Sequence, residues 1–363
     1  MNAPLLQNLR PYLSRLSLAD AALWLAGAVP LAFLLSLMLV LFSLSPAKAD
    51  DVKCTGENLL VAMQRDDPAA LDKVRAEAAK TPNGKGIFWK IEKEGVQPSW
   101  LLGTMHVTDP RVLTMPEGAR DAAAKADIIV IESDEILDEK KAGAALLMHP
   151  ELTMFTDGKT VKDHLTAEQV TELDQGLKQR GLSLATVARM KPWILASFVA
   201  LPACEISRKA AGASFLDKQI AEDAIKAGKP VAGLETLVEQ LQAMADLPVD
   251  FHFKALIETM ALGDKMEDVI ETMTEIYLSG EIGMTMPMLE AVTPSGSDKD
   301  DSAYAAFERR IVQDRNVVMA KGSLPHLEKG NAFIAVGALH LPGAEGLIEL
   351  LRKDGYTLTA VGG

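Results

Sequence analysis

Two segments of the chain share one hydrophobic pattern, in which an apolar stretch typical of a buried strand runs into the tetrapeptide Gly-x-x-His. The first is WLLGTMH, which ends at His106, and the second is FIAVGALH, which ends at His340. A helix-like segment follows each, and then another apolar strand, DIIVIE after the first and TLTAV after the second. The pattern predicts two units of strand, Gly-x-x-His, helix and strand, joined by parallel crossovers.

The region between these units has the spacing of apolar positions that is typical of helices. One segment, residues 227–236, interrupts it with glycine and proline and predicts a short strand that ends at Glu235. The sequence therefore predicts an α/β fold whose sheet is built from two Gly-x-x-His half-domains, residues 86–141 and 301–363. A large helical insertion, residues 142–292, separates them.

The N-terminal region contains an uncharged apolar run, residues 21–44, which is long enough to cross a bilayer as a helix. Two arginines precede it and SPAKADD follows it, a charge bias that places the bulk of the chain outside the cytoplasm. We expect residues 1–49 to be a membrane anchor and residues 50–363 to be extracytoplasmic, in the periplasm if the source is a Gram-negative bacterium. A cleaved signal peptide is the alternative, because AKA before residue 50 matches a small-x-small cleavage pattern.

The composition is that of a folded protein, since 48% of the 363 residues are hydrophobic. The formal net charge is -13, with 37 Lys and Arg against 50 Asp and Glu. Nucleic acid is bound mainly through clustered basic side chains that contact its phosphates. The charge therefore excludes DNA and RNA as expected partners.

The chain contains two cysteines, Cys54 and Cys204. In an oxidising compartment we expect them to form a disulfide between the start of the soluble region and a distant helix. The alternative is a pair of unpaired, buried thiols. Two cysteines this far apart do not have the spacing of a zinc-binding motif.

The two histidines are expected at the carboxyl ends of strands, which is where ligands bind in open α/β sheets. Glu132 ends the run DIIVIE and Glu235 ends PVAGLE, so two carboxylates are expected at the same edge. Two histidines with one or two carboxylates can bind a divalent metal ion, and a further carboxylate can act as a general base. A structural alternative for Glu132 is that it caps the next helix or pairs with a lysine.

Six segments carry a family likeness: WLLGTMHVTD, ADIIVIESDE, RMKPW, GKPVAGLETLVEQ, DRNVVMA and FIAVGALHLPGAEGLIELLRKDGY. Over residues 86–361 the chain resembles the TraB/GumN family, which is related to the Tiki proteins. The resemblance implies paired Gly-x-x-His half-domains. Through the Tiki branch, it also implies a metal-dependent peptidase of the manganese or cobalt type.

The resemblance also implies roles for individual residues. The family's histidines fall on His106 and His340, which would bind the metal. Its acidic strand end falls on Glu132, as base or third ligand, and Glu235 matches a Leu-Glu strand end, as a second candidate ligand. The family's Arg-Asn pair corresponds to RN at positions 315 and 316, which would orient the substrate.

The sequence thus predicts an extracytoplasmic metal-dependent hydrolase, most consistent with a peptidase that acts on a peptide or protein. One alternative is a non-catalytic protein that binds peptides or glycan precursors at the membrane. Another is a hydrolase similar to the erythromycin esterases.

Overall fold

The computed structural model describes residues 54–263, 265–292 and 306–362. The apolar run at residues 21–44, which we expect to anchor the chain, lies outside these described residues. Within the described ranges, no helix is both long enough and apolar enough to span a membrane.

The described residues form a mixed α/β protein with one six-stranded sheet. The strands are β1 (Phe88–Glu92), β2 (Ser99–Thr104), β3 (Ile128–Ile131), β4 (Val231–Gly233), β5 (Ala332–Gly337) and β6 (Thr357–Ala360). Their order across the sheet is β4-β3-β5-β2-β1-β6. The four strands from β4 to β2 are parallel, whereas β1 is antiparallel to both of its neighbours.

Helices cover the sheet and make up most of the region between β3 and β5. They are α1 (Leu59–Asp66), α2 (Pro68–Ala78), α3 (Ala119–Lys125), α4 (Glu139–Met148), α5 (Pro150–Thr153), α6 (Ala167–Lys178), α7 (Leu184–Val187), α8 (Pro192–Ala200), α9 (Ala203–Ala210), α10 (Leu216–Lys226), α11 (Leu237–Ala245), α12 (Val249–Leu262), α13 (Lys265–Ser279), α14 (Thr285–Val292), α15 (Asp314–Leu327) and α16 (Leu347–Lys353). One π-helical turn, Arg309–Gln313, leads directly into α15.

The two Gly-x-x-His strands are neighbours in the sheet. β2 pairs in parallel with β5, and Gly103 lies opposite Val336 while Thr104 lies opposite Gly337. The first five residues of β5 are buried, as expected for a central parallel strand that is covered on both faces. Because the two strands are parallel and in register, both motifs leave the sheet at the same edge.

The two predicted units interleave in the sheet. β5 of the second unit lies between β2 and β3 of the first unit. The predicted strand of residues 227–236 is also present, as the shorter β4, and it joins the sheet beside β3. The helical region therefore contributes one edge strand to the sheet as well as helices.

Local sequence signals mark both ends of α6. α6 begins with a capping box in which Thr166 and Gln169 satisfy each other's backbone amides, and Gly181 adopts a positive φ after its end. α8 is apolar around its whole circumference and is buried along its full length, where it packs against α12. These helices form the main apolar core beneath one face of the sheet.

Cys54 and Cys204 form a disulfide, with their Cα atoms 5.5 Å apart across a sequence separation of 150. The bond ties the first described residue to α9. Because a crosslink over a long loop restricts the unfolded chain, we expect the double substitution Cys54→Ser and Cys204→Ser to lower the free energy of unfolding by about 2–4 kcal/mol. Denaturant unfolding measures this loss, and native protein treated with a reductant is the control. An unchanged unfolding midpoint in both would contradict the prediction.

Candidate active site

The glycine of the first motif allows the two motifs to approach each other. A Cβ atom on Gly103 would lie 3.0 Å from the Cα and Cβ atoms of Ala338, which belongs to the second motif. The carbonyl oxygen of Gly103 also accepts a hydrogen bond of 3.0 Å from the hydroxyl of Tyr277. A larger residue at this position would separate the strand ends that carry the two histidines.

The glycine of the second motif makes room for a carboxylate. The backbone N–H of Gly337 donates to Glu132 Oε1 at 2.7 Å. A Cβ atom on Gly337 would lie 3.1 Å from that oxygen and 3.5 Å from Cδ2 of His340. The spacing Gly-x-x-His therefore places a histidine and a backbone donor to Glu132 at the same strand end.

His106 is buried beside a carboxylate that sequence analysis did not identify. Its Nε2 lies 3.4 Å from Oδ2 of Asp217, and Oδ1 of Asp217 accepts a hydrogen bond of 2.7 Å from the hydroxyl of Thr104. The ammonium group of Lys209 donates to the backbone oxygen of His106 at 3.2 Å. Burial lowers the pKa of His106, but the charge and hydrogen bond of Asp217 and the charge of Glu132 together raise the pKa above its ordinary value.

His340 is held in one orientation by Asn316. Its Nδ1 lies 2.7 Å from Oδ1 of Asn316, while the amide nitrogen of Asn316 donates to the backbone oxygen of Glu345 at 2.8 Å. This pattern assigns the proton to Nδ1 and leaves the lone pair on Nε2, which lies 3.9 Å from Oε1 of Glu132. Burial and the positive charge of Arg315 lower the pKa of His340 to about 3, so the ring is neutral at pH 7.

Arg315 connects the two predicted glutamates. Its Nη2 donates to Glu132 at 2.7 Å and to Glu235 at 2.8 Å, and its Nε donates to Glu235 at 3.0 Å. The side-chain amide of Gln240 adds a hydrogen bond of 3.3 Å to Glu132. Two buried carboxylates thus share one guanidinium, so the trio has an excess negative charge when both are ionised.

The pKa values of the two glutamates are shifted in opposite directions. Burial raises the pKa of Glu132, but opposing interactions, the largest with the charge of Arg315 and another with the backbone N–H of Gly337, lower it below its ordinary value. Burial raises the pKa of Glu235 despite its contact with Arg315. Such a divergence is expected when neighbouring carboxylates compete for one cation, and Glu132 is the member of the pair that loses its proton at the lower pH.

The structure brings all six sequence-predicted site residues to one edge of the sheet, where all six are buried. His106 and His340 line a cavity of about 500 Å³ that begins at this edge. Glu132 pairs with Arg315 rather than with a lysine, which was its alternative in the sequence. The catalytic and metal-binding roles of the six residues stay predictions.

Sequence analysis missed Asp217, Tyr277 and Lys209 as parts of this network. Asp217 is the second residue of α10, where an acid is the ordinary companion of a helix N-terminus, so its position gave no signal of a site. Lys209 lies in an amphipathic helix whose charges resemble those of a solvent-exposed face, yet it is buried, and burial lowers its pKa to about 8. These three residues are recognised as parts of the site only by their contacts with the first motif, which the tertiary structure shows.

The donor types at this edge fit a divalent ion. His340 is a neutral imidazole with its Nδ1 proton bound to an amide oxygen, which is the usual arrangement of a metal-ligating histidine. A carboxylate orients His106, and the ionised Glu132 lies close to His340. Within residues 54–263, 265–292 and 306–362, however, no three His, Cys, Asp or Glu side chains are grouped closely enough to hold an ion.

Together, the fold and the site define an α/β protein with a buried network of histidines, carboxylates and one arginine at the carboxyl edge of its sheet. The sequence profile of the TraB/PrgY/gumN family matches residues 87–360, which is most of the chain. The protein belongs to this family, and the predicted resemblance is confirmed.

The chain is also similar to several metalloproteases. It is 23% identical over 321 residues to Metalloprotease TIKI1 of Homo sapiens, covering 74% of this chain and 61% of the relative. It is 23% identical over 321 residues to Metalloprotease TIKI2 of Xenopus tropicalis, with coverages of 74% and 58%. It is 22% identical over 324 residues to Metalloprotease TIKI homolog of Nematostella vectensis, with coverages of 77% and 68%.

The chain spans about three fifths of the length of the TIKI1 and TIKI2 relatives that it matches. No solved structure matches it.

Proposed function

We propose that this protein is a metal-dependent peptidase with its active site at the edge where β2 and β5 end. The observation that carries the proposal is that His106 and His340 line one cavity at the ends of neighbouring parallel strands that are far apart in sequence, with Glu132 3.9 Å from His340. The similarity to proteins named as metalloproteases supports the same reaction class.

In this proposal His106 and His340 hold the divalent ion, and Glu132 is the third ligand. A bound ion of the manganese or cobalt type would supply Lewis-acid activation of water and of the peptide carbonyl. Asp217 orients the ring of His106 and Asn316 orients that of His340, so each proposed ligand has its own supporting partner.

Arg315 and Glu235 act as positioning residues, because Arg315 contacts Glu132 and Glu235 contacts Arg315. Arg315 keeps Glu132 ionised and fixes its direction through a hydrogen bond of 2.7 Å. Glu235 in turn holds Arg315 through two hydrogen bonds to its Oε2 of 3.0 and 2.8 Å.

We further propose that the enzyme acts outside the cytoplasm on a peptide or protein substrate and is attached to the membrane by residues 21–44. The disulfide between Cys54 and Cys204 supports this location, because disulfides persist mainly in oxidising compartments. The apolar run and its flanking charges predict the attachment.

The test is to purify the full chain in detergent, measure its bound metal by mass spectrometry and incubate it with a peptide library. We expect about one divalent ion per chain and cleavage that a chelator stops and that manganese or cobalt restores. Binding of peptides that survives chelation, without cleavage in any condition, would instead support the binding-protein alternative. Turnover of chromogenic esters alone would support an esterase.

Replacing Asn316 by alanine is expected to weaken metal affinity and hydrolysis by about 10- to 100-fold, because His340 loses the acceptor that fixes its tautomer. Titration with manganese, followed by thermal unfolding, measures the affinity. Asn316→Asp keeps an acceptor oxygen and should retain more of both properties. Val317→Ala is the matched control, because Val317 is the next residue of α15 and its side chain is exposed. Equal affinities in the alanine variants at 316 and 317 would contradict this role.

A further inference from the structure

The cavity beside the histidines has an apolar wall formed by the motifs themselves. Met105 directly precedes His106 and Leu339 directly precedes His340, and both of these apolar side chains line the cavity. Anything that occupies the cavity is therefore adjacent to the proposed ligands. At about 500 Å³ the cavity is within the range of sites that bind small ligands, so it can receive at least one amino-acid side chain.

Two further methionines extend this wall. Met273 on α13 and Met286 on α14 line the same cavity, and Met286 is only partly buried. Methionine side chains are flexible and polarizable, so they adapt to apolar groups of different shapes. Since this wall consists of Met105, Leu339 and these two methionines, transfer of an apolar group into it is favourable.

The charged residues at the cavity are mostly acidic. Glu77, Glu290 and Glu308 line it together with one lysine, Lys80, which is paired with Glu77 at 2.7 Å. A substrate carboxylate in this place would lose its hydration against the methionines.

We propose that this cavity is a specificity subsite that binds an uncharged apolar side chain, such as that of leucine, methionine or phenylalanine, and rejects an acidic one. This side chain belongs to the residue next to the cleaved bond, a point that rests on the proposed peptidase function. The inference names the substrate class of that site: peptides with a large apolar residue at the cleavage position.

The experiment uses the full chain in detergent and N-acetylated pentapeptide amides of the form Ala-Ala-X-Ala-Ala, where X is Leu, Met, Phe, Ser or Asp. Ligand-observed NMR in the presence of a chelator measures binding, and mass spectrometry with manganese measures cleavage. We expect the affinity and the cleavage rate to be at least about tenfold higher with Leu, Met or Phe at X than with Asp. An apolar pocket can discriminate between side chains by a factor of this size.

Met286→Glu should reduce the preference for Leu over Ser by about tenfold, because it places a charge in the wall that the apolar side chain contacts. Met286→Gln keeps the length of the side chain without a charge and should give a smaller reduction, which guards against a folding defect in the first variant. The matched control is Met148→Glu, since Met148 is 76% exposed at the end of α4 and does not line the cavity.

The outcomes separate this inference from the proposed function. Cleavage without preference for apolar X, or equal preferences in Met286→Glu and Met148→Glu, overturns the subsite and keeps the peptidase. Selective binding of apolar peptides without any cleavage overturns the peptidase and supports the side-chain preference of the cavity. Selective binding and cleavage that both depend on Met286 support the whole inference.

Discussion

Simultaneous replacement of His106 and His340 by alanine is expected to abolish ion-dependent stabilisation and to reduce peptide hydrolysis by at least about 10³-fold, the scale on which the loss of a catalytic unit acts. The two imidazoles are the proposed nitrogen ligands. The nearby carboxylates of Glu132 and Asp217 already accept hydrogen bonds from Arg315 and Thr104, respectively. An ion at 100 times its Kd stabilises the native protein by about 2.7 kcal/mol, and the double variant should lose this increment.

Thermal unfolding with and without manganese measures the stabilisation, and peptide cleavage is measured on the same preparations. His149→Ala is the control, because His149 lies at the surface and contacts only Glu151 among the described carboxylates within salt-bridge distance. Each single histidine variant should bind the ion more weakly than the native protein. Native-like stabilisation in the double variant would rule out the proposed metal site.

Replacing Arg315 by methionine is expected to lower the free energy of unfolding by about 3–5 kcal/mol, the usual consequence of removing one partner from a buried ionic group. Methionine fills a similar space but leaves Glu132 and Glu235 without their shared cation. The loss should shrink as the pH falls, because protonation of the two carboxylates removes their uncompensated charge.

Denaturant unfolding at neutral and at acidic pH tests both parts of this prediction. Arg309→Met is the matched control, because Arg309 is an exposed arginine in the turn before α15. The triple variant with Glu132→Gln and Glu235→Gln should recover part of the stability, since it removes the unpaired charges. If Arg315→Met costs no more than Arg309→Met, the network does not stabilise the fold.

The native network also predicts how the protein responds to acid. The pKa of Glu132 is lower in the folded chain than its ordinary value, so its ion pair adds stability above that ordinary pKa and the addition is lost as the pH falls. The neutral His340 acts in the same direction, because its ring takes up a proton more readily in the unfolded chain between the ordinary pKa of histidine and about 3.

Sequence by itself determined the parts of this protein that depend on neighbouring residues. Apolar runs predicted β2, β3 and β5, and the strand before Glu235 was also found, although it is shorter. Residues at the ends of parallel strands meet at one edge of a sheet, so the approach of the two motif histidines and the two glutamates followed from their positions.

Only the tertiary structure decided which groups contact one another within that edge. The interleaving of β5 between β2 and β3 brings Glu132 against the second motif, and packing of α10 and α15 brings Asp217 to His106 and Asn316 to His340. These partners are separated by many residues, so no local periodicity encodes their contact. The physical reason is that the face of each helix that packs against the sheet is set by the packing of the whole core, and not by the residues next to it in sequence.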